Sequence, residues 1–295
     1  MANLSRPGRM RLAAQLRDHV LATDWRANAL LLRHVFGDGG FAAPGCLLHR
    51  VFADHEIFFD PRDDKIGTRL LSGREWQRWA MKRAVDLLRA AGRDPKGTQL
   101  IDAGANIGAT LIYAMREGGF AGATAFEPDA ANFAILDRNM RANGLDELVG
   151  LQACAVGSTE GTASLTRDPQ NFGRHSLAAH DAHGDRVNET AAVTVTTLDA
   201  WLAQSAKAPA AFGLVKIDVE GFELEVLEGM SALRAARVPI MVEVTGLAED
   251  KERRERFRQL VDGYERVVDL DDHTAAVMTP SKYEPVGAQQ DLLIY

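Results

Sequence analysis

Cysteine is scarce in this sequence: Cys46 and Cys154 are its only two in 295 residues. They lie far apart in the chain, so a disulfide framework is not what organises the fold, and a reducing, cytoplasmic location is expected. Long apolar runs are missing too. None approaches the roughly 18 residues of a membrane-spanning helix, and Arg6, Arg9 and Arg11 are not followed by the apolar stretch of a signal peptide. Positive charge is in deficit, with 34 Lys and Arg against 41 Asp and Glu, a net −7. That balance gives no electrostatic footprint for nucleic acid. The densest basic stretch, K-E-R-R-E-R at 251–256, interleaves acids and reads as a solvated helix face. No internal repeat is visible, and the G-x-G-x-x-G fingerprint of dinucleotide binders is absent. What remains is 46% hydrophobic residues, ordinary for one large α/β domain with an N-terminal extension.

The stretch that organises the chain is L-I-D-A-G-A-N-I-G at 100–108. It reads as a buried strand, a glycine turn and the start of a helix. Gly104 lets the backbone turn without a Cβ clash, and Gly108 lets the next helix pack closely. Such a strand–turn–helix junction suits a nucleotide-type cofactor. Asp102 at the strand end would repel a pyrophosphate, but it suits a cationic centre or an amino-acid tail. S-adenosylmethionine (SAM) has both. A second strand, G-A-T-A-F at 122–126, ends in Glu127 and Pro128. That places an acid about 20 residues on, where a carboxylate reaches ribose hydroxyls. Asp129 is a suitable cap for the helix that follows.

These stretches resemble the FkbM-type family of SAM-dependent methyltransferases. The resemblance rests on residues 100–108, on A-F-E-P at 125–128, on L-D-R-N-M-R-A-N-G at 136–144, on T-T-L-D at 196–199 and on V-K-I-D-V-E-G-F-E-L-E-V-L-E-G at 215–229. It covers roughly residues 95–245. It implies a doubly wound, mostly parallel seven-stranded α/β sheet of the Rossmann-like class I type. It also implies SAM as cofactor and methylation of a hydroxyl on a sugar, glycan or natural product. The acceptor would then be a small molecule or a glycan. A catalytically silent SAM-binding or scaffold protein is one alternative, and an NAD-type oxidoreductase another. The missing fingerprint and Asp102 disfavour the second.

Residues 1–92 are expected to form a helical and hairpin extension, and residues 93–295 the methyltransferase domain. Helices are predicted over 12–22 and 25–36, and a hairpin over 47–59. S-G-R-E at 72–75 fits a capping box that opens a helix over 74–91, with Trp76 and Trp79 as core side chains. From residue 98, strands at 98–102, 122–127, 148–156, 212–218 and 238–244 alternate with helices at 107–117, 130–143, 222–235 and 250–262. Strands near 264–270 and 290–295 complete the sheet. Residues 161–166 and 193–197 suggest an extra strand pair. The polar stretch 168–190, with His175, His180 and His183, is expected to form a mobile flap near the acceptor.

Methyl transfer is chiefly a positioning problem, with a base needed only to take the hydroxyl proton. The turn is expected to bind cofactor through Asp102, Ala103, Gly104, Ala105, Asn106 and Gly108. Glu127 and Pro128, then Ala153, Cys154 and Ala155 beside the adenine, complete that set. Strand alternation puts Lys216, Asp218 and Glu220 on one face, at the edge where open α/β sheets bind ligands. Asp218 is expected to face the sulfonium. Glu220 is the expected base, with His175 as substitute and Glu243 ending the neighbouring strand. The bland alternative is an ion-pair network of these acids with Lys216. Asp218, Glu220, Glu243 and one flap histidine could also supply hard metal ligands. No metal is assigned, because single loop histidines are more often surface residues. Glu223, Glu225 and Glu228 are given no catalytic role and are expected mostly to face solvent or to support the helix N-terminus.

Overall fold

The computed structural model describes residues 47–167, 177, 189–272 and 277–295. The helices predicted over 12–22 and 25–36, Cys46, and the flap with His175, His180 and His183 lie outside them. The chain divides into two compact units, Met1–Trp76 and Gln77–Tyr295.

In the first unit, β1 (Leu48–Val51) and β2 (Glu56–Phe59) form the predicted antiparallel hairpin. A short helix, α1 (Ile66–Leu71), follows. Ser72 does not open a capping box. It closes α1, its Oγ donating to the Arg69 carbonyl at 2.6 Å, and Gly73 at φ +80° carries the chain away.

The second unit opens with α2 (Arg78–Ala90), which starts four residues later than the capping box implied. Trp79 on this helix is 39% exposed rather than a core residue. The strands β3 (Gln99–Ala103), β4 (Gly122–Phe126), β5 (Val149–Gln152), β9 (Phe212–Ile217), β10 (Ile240–Thr245), β11 (Val267–Asp269) and β12 (Gln289–Ile294) form one sheet. Their order is β11-β12-β10-β9-β3-β4-β5. The chain thus runs outward from β3 to β5 on one side, then returns to β9 on the other. That reversal puts the switch point, where open sheets bind ligands, between β3 and β9. Only β12 runs against its neighbours. Between the strands lie α3 (Ala109–Gly118), α4 (Ala130–Ala142), α6 (Glu223–Glu228), α7 (Ser231–Ala235) and α8 (Lys251–Leu260). Leu100, Ile101, Val215, Ile217, Ile240 and Val242 are all 0% exposed, as central parallel strands require.

Two predicted elements divide. The strand expected over 148–156 breaks at Ala153 and Cys154. Its second part, β6 (Ala155–Val156), leaves the main sheet and joins β7 (Gly161–Arg167) and β8 (Glu189–Thr196) in a separate three-stranded sheet. The helix expected over 222–235 breaks at Gly229. A Cβ there would sit 2.0 Å from the Gly157 carbonyl oxygen, so only glycine fits at the break, where the chain passes close to another backbone. A further short helix, α5 (Leu198–Gln204), is capped by Thr197, whose side chain accepts from the Ala200 N–H.

Candidate functional site

The turn after β3 is built by backbone geometry. Asn106 and Gly108 adopt φ +51° and +83°, and Gly104 φ +82°, conformations suited to Gly and Asn. The Asn106 Oδ1 accepts from the Ile107 N–H at 2.7 Å. From α4, the fully buried Asn139 donates its Nδ2 to the Ile107 carbonyl at 2.8 Å. A Cβ on Gly108 would meet Leu136 Cδ1 at 2.6 Å, so the close helix packing inferred from sequence is present. Gly104 is constrained differently. A Cβ there would lie 1.8 Å from the Asp218 carbonyl oxygen. Its small size is thus demanded first by β9 and only then by any ligand. Gly104 and Asn106 remain half-buried while Ala103, Ala105 and Ile107 are buried, so the accessible part of the turn is at Gly104 and Asn106.

Glu127 closes the other side. It is 5% exposed, and its two oxygens accept from the Asn106 and Asp129 N–H groups, each at 2.8 Å. Burial pushes its carboxyl up to about 8 against the pull of those donors. Each carboxylate oxygen keeps a further lone pair for a hydroxyl donor. The Glu127 N–H bonds the Gln152 carbonyl at 3.0 Å. This sets Ala153, exposed, Cys154, half-buried, and Ala155, buried, just beyond it where β5 ends. Burial raises the Cys154 thiol above its usual range, which does not suit a reactive role.

On the β9 side, Lys216 stands opposite Asp102 in the sheet register. Its Nζ lies 3.1 Å from Asp102 Oδ1 and 3.5 Å from Asp218 Oδ2. Burial works against the Lys216 charge, but Asp102 and Asp218 outweigh it and hold the ammonium above its usual range. Asp102 is 0% exposed, and its Oδ2 has no hydrogen-bond partner among the described residues. Burial raises its carboxyl. The ion-pair alternative therefore holds for Asp102, Lys216 and Asp218, and one buried Asp102 oxygen stands outside it.

Strand β9 ends at Ile217, so alternation alone does not bring Glu220 to the rim. A turn with Glu220 at φ +49° and Gly221 at φ +94° does so. One oxygen each from Asp218, Glu220 and Glu243 lies within 4.8 Å of the others. Glu243 is 8% exposed. It accepts from Gln289 Nε2, and from Gln77 Nε2 at 3.4 Å. Burial, then Asp218, Asp291 and Glu220, push its carboxyl up to about 9. Asp291 stands directly across from Glu243 in the β10–β12 register and was missed by sequence reasoning. Its only signal is a polar Q-Q-D opening an otherwise apolar last strand. Burial and the nearby acids raise it to about 7.

Of the glutamates of α6, Glu223 takes the expected supporting place at the helix N-terminus. Glu223 is 1% exposed rather than solvated, bonded to Arg253 at 2.7 Å and to the Gly221 N–H. Glu225 and Glu228 pair with Arg256 at 2.9 and 2.6 Å. All three are structural.

Residues 102–275 match the family model described as the methyltransferase FkbM domain. "Methyltransferase 1" of Beauveria bassiana (strain ARSEF 2860) is 32% identical over 152 residues, covering 46% of this chain and 59% of that protein. "Methyltransferase sdnD" of Sordaria araneosa is 34% identical over 161 residues, covering 46% of this chain and 61% of that protein. The matches thus span about three-fifths of these relatives' length. Among solved structures, M. jannaschii TYW2 in complex with AdoMet is similar at 11% identity over 84% of each chain, with a TM-score of 0.42.

Proposed function

The chain belongs to the FkbM methyltransferase family, and on that premise we propose that it transfers a methyl group from SAM to a hydroxyl of a sugar, glycan or natural-product acceptor. SAM is the cofactor this family implies, and the NAD-type reading is set aside. The observation that carries the site assignment is the buried Asp102 Oδ2, without a hydrogen-bond partner among the described residues, beside the half-buried Gly104 and Asn106 of the turn, with Glu127 at the next strand end. An acceptor-only oxygen in that position suits the α-ammonium of a methionine tail. Glu127 suits a pair of ribose hydroxyls.

When bound, SAM supplies a methyl carbon on a sulfonium, open to in-line displacement. This chain's residues hold the two reactants in line and take one proton. Asp102 and the turn orient the amino-acid tail, and Lys216 favours the ionised form of Asp102 against the burial that raises its carboxyl. Asp218, on the carboxyl edge of the sheet, faces the sulfonium side. Glu220, half-buried at the rim, takes the proton of the acceptor hydroxyl, and His175 stands as its substitute. The paucity of cysteine supports a cytoplasmic setting. No helix among the described residues is long and apolar enough to cross a membrane.

The test is conversion of SAM to S-adenosylhomocysteine against a panel of sugars, glycans and polyhydroxylated metabolites. Glu220→Gln keeps the shape and removes the basicity, so turnover should fall about 10²–10⁴-fold while SAM affinity holds. Wild-type turnover by the variant from pH 6 to 9 would remove Glu220 as the base. Stoichiometric SAM binding with no turnover on any acceptor would favour a silent binding protein.

A further inference from the structure

Around the rim, one face of the sheet collects five carboxylates. Asp102, Glu243 and Asp291 come from three strands, and Asp218 and Glu220 from the turn after β9. Lys216 is shared by Asp102 and Asp218. Glu243 takes hydrogen bonds from two neutral amides, Gln77 and Gln289. Asp291 is 8% exposed, yet its carboxylate has no hydrogen-bond or ion-pair partner among the described residues. Directly opposed residues of an antiparallel pair project to the same side, so Asp291 points to the face that carries Glu243.

A buried carboxylate without a partner is costly unless something compensates it. Three oxygens within 4.8 Å of one another match what a hard cation bridges. Bonds of about 2.3–2.6 Å span oxygens up to about 4.6–5.2 Å apart. The donors are all carboxylate oxygens, which select magnesium, calcium or manganese over zinc or copper.

We propose that Asp218, Glu220 and Glu243 bind one hard divalent cation, with Asp291 as the compensating charge behind it. A cation there keeps coordination positions open to an oxygen-rich acceptor, such as a vicinal diol. That use rests on the methyl-transfer reading; the binding of the cation does not.

The experiment is titration of the full chain with Mn²⁺, without SAM or acceptor, followed by electron paramagnetic resonance of free Mn²⁺. One Mn²⁺ per chain is expected, displaced by Mg²⁺ or Ca²⁺ but not by K⁺. Glu243→Gln should weaken it at least 10-fold, and Asp291→Asn should weaken it as well. If Glu243→Gln does not fold, Glu220→Gln at the half-buried rim carries the same test. Weak binding at many sites, or equal Mn²⁺ affinity in wild type and both glutamate variants, would overturn the proposal and mean that the cluster is compensated by protons. SAM calorimetry in EDTA on the same preparations separates the two readings. SAM binding without Mn²⁺ binding sinks the cation and leaves the methyl-transfer reading in place.

Discussion

Lys216 is the residue on which the site's charge balance turns. It is 4% exposed and is the cation that holds two carboxylates at the switch point. Lys216→Met would leave Asp102 buried without its charge partner, a loss of about 3–5 kcal/mol. Urea denaturation measures it, and a loss below about 1 kcal/mol, the range of exposed pairs, would mean the pair is not buried in solution. Glu127 sets a pH dependence instead. Its folded-state pKa of about 8 lies above the unfolded value of about 4.3. The folded state therefore binds the extra proton. The stability this contributes is complete below about pH 4.3 and is lost as pH rises through about 8. Melting temperatures of the ligand-free protein should fall across that window, and Glu127→Gln should flatten the fall. An identical slope in the variant would assign the titration elsewhere. In the sequence, Asp102 and Glu127 were legible because each ends a strand beside a turn. Asp291 was not, because its meaning depends on a partner 48 positions away, Glu243, fixed only by the β10–β12 register.

At the scale of elements, the βα unit from β3 to α3 is fixed by two glycines with different neighbours. Gly104 faces an immovable carbonyl at 1.8 Å, whereas Gly108 faces the ends of Leu136 and Met140 at 2.6 and 2.8 Å. A side chain tip can shift and a strand carbonyl cannot. Gly104→Ala should thus cost more than about 3 kcal/mol, from clash and positive φ together. Gly108→Ala should cost about 1–3 kcal/mol. Chemical denaturation of both variants checks the order, and equal losses would contradict it. The same contact means that replacing Gly104 cannot test cofactor binding cleanly, since it displaces the Asp218 backbone together with the turn. The glycine turn and alternating elements were readable from apolar runs and punctuation. The breaks at Cys154 and Gly229 were not, because each arises from a distant packing partner. The supposed capping box failed because Ser72 and Gly73 serve the helix before them.

Over the whole molecule, the strand order and the family match at 102–275 meet at one place, the edge of β3 and β9. The sequence pattern was sufficient for the parallel core, where buried strands read as continuous apolar runs. It did not foretell the antiparallel insertion of β12 between β10 and β11, which brings Gln289 and Asp291 to Glu243. The central claim is that the β3 turn and Glu127 together bind SAM. Calorimetry of the full chain with SAM and, separately, with NAD tests it most directly. One SAM per chain is expected, with no heat from NAD. Glu127→Ala should weaken SAM by about 1–3 kcal/mol, the cost of leaving buried ribose hydroxyls without their acceptor. SAM binding at equal strength in wild type and Glu127→Ala, or no SAM binding by the folded wild type, would contradict the assignment.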